Sequence, residues 1–350
     1  MEVFSNPEYD NHECIAFHSD EKSKLKAIIA VHNTHLGDAV GGCRMWPYAS
    51  ESEAVTDVLR LSRGMTYKAA LAGLPQGGGK SVIIGDPRRD KTPAMIRAMG
   101  RFVERFGGSY VVAEDSGTSV ADIRLMSIET GYVGGLADEQ SLAAGRTGDP
   151  SLATALGVFI GIQAAVRAKL GRDDLKGLKV AIQGVGNVGG RVAKHLSDAG
   201  AKLWVTDLHH PAVDLCVKEL GAVAVPMDVL HTLDVEVLAP CALGAALNDI
   251  TIPKIKAKIV AGAANNQLAH PKHDRALLER GILYAPDYVI NAGGIIDIYY
   301  EGPGYDEAKV SAHLLRIGQT LAEIFEDSRR GYRPTGEIAD RMAEERFQRR

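Results

Sequence analysis

Little in this sequence suggests a disulfide scaffold, a metal centre or a polyanionic partner. Its four cysteines, Cys14, Cys43, Cys216 and Cys241, lie far apart and form no Cys-x-x-Cys pair. That argues against a disulfide framework or a thiolate zinc site and suits a reducing compartment. The eleven histidines show no His-Glu-x-x-His or comparable ligand spacing, so no metal is expected. Net charge is only −4, with both signs spread along the chain, which argues against nucleic acid or an anionic membrane surface as partner. No run approaches eighteen apolar residues, and Met1-Glu2-Val3-Phe4-Ser5-Asn6 lacks a basic segment followed by an apolar one. The expectation is a cytoplasmic protein without a membrane span, acting on small metabolites. Repeats and low-complexity tracts are likewise missing. What is present is length: 350 residues exceed what one core usually organises, so two domains are expected.

After Ser50, apolar residues at Ala54, Val58, Leu61 and Met65 mark one stripe of a helix, with Ser50 and Glu53 as a capping box. Three residues further the stripe reaches Lys68, a charge at a position the pattern assigns to the interior. Such a lysine either meets a partner or snorkels to the surface along its stem. Next come a glycine-rich turn, Gln76-Gly77-Gly78-Gly79-Lys80, and a strand over 81–84. A helix then opens at Thr92-Pro93 and closes at Gly107-Gly108, with Met95, Met99, Phe102 and Phe106 inward. A strand over 110–113 ends in Glu114-Asp115. Lys80 follows glycines that let a ligand approach, or is a surface lysine after a turn; Asp115 sits at a strand's carboxyl end, as catalytic groups and helix caps both do. A lysine among glycines and apolar neighbours, with a second cation nearby, can act as a base near neutral pH.

Residues 131–154 are rich in Gly, Ala, Ser and Pro, as a connection between domains is, and the boundary is placed there. Beyond it, apolar runs at 180–182, 203–205, 222–225, 235–238, 259–261 and 288–290 alternate with helical or turn segments, the pattern of a doubly wound parallel sheet. Gly184-Val185-Gly186-Asn187-Val188-Gly189 follows the first of these strands and precedes a helix with Val188, Val192 and Leu196 on its apolar face. The first glycine permits the turn, the second admits a pyrophosphate to the backbone and the third lets helix and strand pack closely. The next strand ends at Asp207, placed to accept hydrogen bonds from ribose hydroxyls and to repel a 2'-phosphate, so NAD is favoured over NADP. His209 and His210 beside it soften that preference. The tail from Thr335 to Arg350 reads as one amphipathic helix with Ile338, Met342 and Phe347 on one side.

The runs 40–44 (Val-Gly-Gly-Cys-Arg), 65–68 (Met-Thr-Tyr-Lys), 77–80, 114–118 (Glu-Asp-Ser-Gly-Thr), 239–242 (Ala-Pro-Cys-Ala), 262–266 (Gly-Ala-Ala-Asn-Asn) and 291–294 (Asn-Ala-Gly-Gly) resemble the glutamate, leucine, phenylalanine and valine dehydrogenase superfamily, most of all its leucine dehydrogenases. The resemblance extends from about Lys26 to Arg346. It implies an α/β chain of two domains with a cleft between them. Residues 1–135, completed by a C-terminal helix at about 325–350, would bind substrate and form a homo-oligomer; 136–324 would be the Rossmann domain that binds NAD. It also implies reversible oxidative deamination of an L-amino acid to its 2-oxo acid and ammonia. Lys68 would bind the substrate carboxylate, Lys80 would polarise the carbonyl or carbinolamine oxygen and activate water, and Asp115 would exchange protons with the nitrogen. Gly41 would hold the carboxylate or oxygen through its backbone. Asn265 would lie against nicotinamide and substrate, Thr154 against the nicotinamide amide, and Cys241 and Ala242 along the cofactor.

In glutamate dehydrogenases the positions matching Val40 and Ile298 carry a lysine and a serine that hold the distal carboxylate. Here both are apolar, so a distal carboxylate would be buried unpaired at a cost of several kcal/mol. Val40, Ala113, Ile295 and Ile298 are expected to line an aliphatic site for leucine, isoleucine or valine. An aromatic amino acid dehydrogenase on the same scaffold, and a catalytically inactive NAD-binding regulator, are the alternatives. Cys43 stands where threonine is common, Ser116 where an apolar residue is, and the stretch before Thr154 lacks a frequent proline.

Overall fold

The structure is a computed structural model and describes residues 3–136, 149–242, 244–302 and 304–348. It divides into two compact units: Met1–Asp149 with Ile298–Tyr305 and Ala343–Arg350, and Pro150–Asp297 with Asp306–Met342. The division therefore differs from the expected 135/136, and only the last eight residues of the tail, not a whole helix from 325, group with the first unit. Composition marks a connecting stretch but not the residue at which packing changes hands; much of that stretch, 137–148, lies outside the described residues.

The first unit is a five-stranded sheet in the order β1-β2-β4-β3-β5. Its strands are β1 (Cys14–Asp20), β2 (Leu25–Asn33), β3 (Ala39–Trp46), β4 (Gly77–Ile84) and β5 (Tyr110–Glu114). β3, β4 and β5 run parallel, while β2 is antiparallel to both β1 and β4. Helices α2 (Pro93–Glu104) and α3 (Val120–Met126) share a core with one face, which includes Ala39, Cys43, Met45, Ile83, Tyr110 and Val112. Helix α1 (Glu51–Ala72) packs on the other through Ala54, Val55, Val58 and Leu59 against Ile28, Ala30 and Val82.

Ser50 caps α1 by accepting from the Glu53 amide at 3.2 Å, and Glu53 reaches back to the Ala49 amide rather than that of Ser50. The buried face of α1 is turned from the expected stripe: Ser62 and Thr66 are fully buried, while Leu61, Met65 and Lys68 are half-buried. Reading apolar residues alone misses hydroxyls that are buried because they are hydrogen-bonded. At its end, Arg346 donates to the Ala70 and Leu71 carbonyls, 3.0 Å each, where the helix runs out of amide donors, and Tyr67 donates to Glu344 at 2.9 Å.

Glycines 77–79 are strand, not turn, and Lys80 lies within β4 rather than before it. A Cβ on Gly78 would lie 2.0 Å from the Thr66 amide nitrogen, and one on Gly79 2.6 Å from the Tyr110 ring. The strand forms because its neighbours on both faces occupy the volume where side chains would go.

The second unit is a six-stranded parallel sheet, β11-β10-β9-β6-β7-β8. Its strands are β6 (Lys179–Gln183), β7 (Lys202–Thr206), β8 (Val223–Ala224), β9 (Val237–Pro240), β10 (Ile259–Val260) and β11 (Leu283–Tyr284). Counted from β6 the order is 3-2-1-4-5-6, with its switch point between β6 and β9. The run Tyr288-Val289-Ile290 is a short helix (Asp287–Ile290), and β11 supplies the sixth strand. Three apolar residues after a proline do not by themselves separate strand from helix; here the Tyr288 hydroxyl is held by Asp340 at 2.6 Å. Helix α4 (Ser151–Leu170) is long and apolar enough to cross a membrane by length and composition alone, a test that buried core helices also pass; half of its most apolar stretch is buried. The tail is helical over Thr335–Gln348, with Ile338 and Phe347 buried and Met342 half-buried.

Candidate active site

In the first unit, side chains that alternate along β3, β4 and β5 place Val40 and Gly42, Gly78 and Lys80, and Val111 and Ala113 on the face that carries α1. The Lys80 ammonium, on a residue only 6% exposed, pairs with Asp115 Oδ2 at 2.7 Å just past the end of β5. Gly42 makes room for the pair: a Cβ there would stand 2.7 Å from Asp115 Cβ and 3.2 Å from Lys80 Nζ. Arg44 Nε reaches the same carboxylate oxygen at 3.1 Å, while its Nη1 holds Asp57 Oδ2 at 3.0 Å; Asp57 also accepts from the Tyr48 hydroxyl at 2.8 Å. Burial alone would raise the Asp115 carboxyl, but the Lys80 and Arg44 cations and the hydrogen bonds outweigh it and hold it at about 2. The carboxylate is therefore ionised at neutral pH, one anion between two cations.

Thr118 locks the turn that carries Asp115, accepting from its amide at 3.0 Å and donating to the Cys43 carbonyl at 2.8 Å. Cys43 points into the opposite core, where burial pushes its thiol up to about 12, so its replacement of threonine leaves the pair untouched. Arg44, Asp57 and Thr118 carry no sequence signal of their own beyond the motifs that contain them. Gly41 lies on the opposite face, its carbonyl accepting from Tyr110 at 2.9 Å, with Gly79 O only 1.8 Å from where a Cβ would be. Lys68 is half-buried two residues beyond Thr66, in the turn of α1 closest to β4. Ile298 belongs to this unit, and its Cγ2 lies 3.3 Å from the Cβ position of Gly134, which also faces Val111.

The second unit contains the other expected residues. Gly184 has φ +92 and donates to Thr206 O at 2.8 Å; a Cβ on it would meet the Ala242 amide at 2.7 Å. Gly186 caps helix α5 (Asn187–Asp198) and has nothing within 4 Å of its Cβ position, whereas on Gly189 a Cβ would meet Gly184 O at 2.0 Å and Cys241 Cβ at 3.0 Å. The loop is thus tight where helix meets strand and open where a pyrophosphate would approach, with α5 amides facing it. Asp207 holds the loop, its two oxygens accepting from the Val185 and His209 amides at 2.7 and 2.8 Å. Cys241 donates its amide to Gln183 O at 2.7 Å, which seats Cys241 and Ala242 beside the loop. Val188 is half-buried behind it. Asn265 Oδ1 accepts from Asn291 at 2.7 Å, and Thr154 Oγ1 lies 2.9 Å from the Cβ position of Gly294. Ile295 is buried in this unit. Among the described residues no group of three or more His, Cys, Asp or Glu is placed to hold a metal ion.

A sheet of this order with a glycine loop at its switch point defines a Rossmann-type NAD(P)-binding domain and sets the chain among dinucleotide-dependent oxidoreductases. Residues 12–132 match the family described as Glu/Leu/Phe/Val dehydrogenase, dimerisation domain, and residues 145–208 and 205–304 match the Glutamate/Leucine/Phenylalanine/Valine dehydrogenase family. The chain belongs to this family of amino acid dehydrogenases. It is an oxidoreductase of the CH–NH2 class that works by oxidative deamination, which removes the alternative of an inactive dinucleotide-binding regulator. It is similar to a leucine dehydrogenase of Geobacillus stearothermophilus, 49% identical over 99% of this chain and 94% of the relative. A valine dehydrogenase of Streptomyces virginiae is 45% identical over 96% and 94%. The crystal structure of L-tryptophan dehydrogenase from Nostoc punctiforme superposes with a TM-score of 0.83 at 43% identity, covering 97% of this chain and 96% of that one.

Proposed function

We propose that this enzyme converts L-leucine, L-isoleucine and L-valine to their branched 2-oxo acids and ammonia, with NAD as the oxidant. The observation that carries this reading is the surface around Lys80 and Asp115: Val40 and Ala113 lie on the same sheet face, and both are aliphatic and buried. Ile298, in the same unit and near Val111, extends this aliphatic surface, which would strand a distal carboxylate without a partner. Lys68 binds the substrate carboxylate. Lys80 holds the substrate oxygen as negative charge develops on it and orients the attacking water; Asp115, ionised at neutral pH, takes the proton from the substrate nitrogen. Gly42, on the face of Lys80 and Asp115, lets the carboxylate and oxygen approach the backbone of β3, and Asn265 is assigned to the substrate.

The residues that fit the dinucleotide are Gly184, Gly186, Asn187, Val188 and Gly189 for the pyrophosphate, Asp207 for the ribose, Cys241 and Ala242 along it, and Thr154 and Asn265 at the nicotinamide. Bound there, NAD would supply the acceptor for the hydride of the substrate Cα. The balance is amino acid, NAD+ and water giving 2-oxo acid, ammonium, NADH and a proton. The Asp207 carboxylate beside the loop supports NAD over NADP. A homo-oligomer formed through the first unit is supported by its match to a dimerisation domain, and a cytoplasmic location by four free cysteines.

The test is ammonia-dependent NADH oxidation with 4-methyl-2-oxopentanoate, 3-methyl-2-oxobutanoate, phenylpyruvate, indolepyruvate and 2-oxoglutarate, repeated with NADPH. The branched acids should exceed 2-oxoglutarate in kcat/KM by at least about a hundredfold. The similarity to a tryptophan dehydrogenase favours one competing reading, an aromatic substrate. Turnover confined to phenylpyruvate or indolepyruvate would establish that reading and overturn ours.

A further inference from the structure

Strand β2 is interrupted where it passes the three glycines of β4. Val31 pairs with Gly79 and Asn33 with Gly78, so His32 is the extra residue of a β-bulge. Bulges recur beside active sites because they re-aim one side chain. Here the imidazole is only 4% exposed, and its Nδ1 lies 2.8 Å from Thr66 Oγ1 on α1. Its Nε2 faces Asp10 Oδ2 at 3.4 Å, so a proton on Nε2 leaves Nδ1 to accept from the Thr66 hydroxyl. Burial, with the neighbouring His12, depresses the imidazole to about 4, so it is neutral wherever the enzyme would be assayed.

Thr66 does not stand alone. One turn earlier, Ser62 Oγ lies 3.1 Å from His12 Nε2, which also lies 3.0 Å from the Leu59 carbonyl. The buried face of α1 is thus apolar over its first half, while its second half adds two hydrogen-bonded hydroxyls, Ser62 and Thr66, to apolar residues that include Ala69, Ala70 and Leu71. An apolar face tolerates some rotation of a helix about its axis; a hydroxyl matched to a buried imidazole does not. Two residues after Thr66, on the flank of the same helix, is Lys68.

We propose that His32 is a positioning residue: through Thr66 it fixes the rotation of α1 and so places the Lys68 ammonium for the substrate carboxylate. The inference rests on the carboxylate-binding reading of Lys68, and the experiment separates the two. Steady-state kinetics with the preferred 2-oxo acid are measured for Lys68→Ala, Thr66→Val, His32→Leu, His32→Asn and Lys68→Ala/Thr66→Val. Thr66→Val keeps the shape of the residue and removes only the hydroxyl; Asn retains an acceptor near the Nδ1 position.

Lys68→Ala should raise KM for the oxo acid; a KM at the wild-type value would sink the carboxylate reading itself. Given that rise, Thr66→Val and His32→Leu should each raise the oxo-acid KM about tenfold, with KM for NADH unchanged and most of the increase recovered in His32→Asn. In the Lys68→Ala background, Thr66→Val should add nothing further. A wild-type oxo-acid KM in Thr66→Val, or full additivity with Lys68→Ala, would reduce His32 to a stability role and overturn the proposal. Should His32→Leu fail to fold, Thr66→Val and the double variant still decide it.

Discussion

At the scale of single residues, Asp115 holds a buried charge cluster together. It is one carboxylate shared by Lys80 and Arg44, and removing its charge leaves two buried cations facing each other. Asp115→Asn is therefore expected to lower kcat by at least about a hundredfold, and Lys80→Ala to do the same while NADH binding, followed by fluorescence titration, stays near wild type. Near-native turnover of Lys80→Ala would remove it from the reaction. Lys68, Lys80 and Asp115 were legible in the sequence because each puts a charge where the pattern calls for burial or a strand end. Arg44, Thr118 and His32 were not. Most of their partners lie more than ten residues away along the chain, and a histidine in an apolar strand looks the same whether or not a hydroxyl awaits it on the helix above.

At the scale of elements, the second unit was easier to read than the first. A strand, a glycine turn and an amphipathic helix are local patterns, so β6, the loop and α5 follow from the single stretch Lys179–Asp198. The first unit depends on contacts between faces: glycines disfavour strands, and only α1 and Tyr110 on either side make a strand of 77–79. The tail helix over Thr335–Gln348 offers a test of its own anchoring. Asp274, buried in the helix Lys272–Glu279, accepts at 2.7 Å from the amide of Gly336 in the first turn of the tail helix. Burial raises this carboxyl to about 6 from an ordinary 3.8. A group so raised contributes stability below pH 3.8 that is lost as pH rises through 6. Asp274→Asn keeps an acceptor but never ionises. Thermal melts should show it gaining on the wild type between pH 4 and pH 7, by up to roughly 2 kcal/mol. A constant difference across that range would mean that Asp274 does not titrate there.

At the scale of the whole molecule, two units and a Rossmann sheet were evident from length and pattern, but the seam was not. Ile298–Tyr305 and Ala343–Arg350 group with the first unit from far along the chain; the family resemblance implies a return of the C-terminal helix, but no local signal announces either segment. The first unit has an exposed sheet edge at β1, with Phe17 56% exposed, and an unpaired edge invites a second copy. Sedimentation velocity at assay concentrations is expected to show a dimer or larger species; a monodisperse monomer would contradict assembly through this unit.

The bare backbone of β4 also bears on how such an enzyme can change over generations. At Gly78 and Gly79 even one methyl group would collide with Thr66 or with Tyr110, so these positions have almost no viable neighbours in sequence space. Val40 and Ala113, one strand or two away, already carry side chains that can be enlarged or trimmed one methylene at a time. On the proposed lining, drift in what the enzyme accepts would be channelled into β3 and β5, while the strand that bears Lys80 stays frozen.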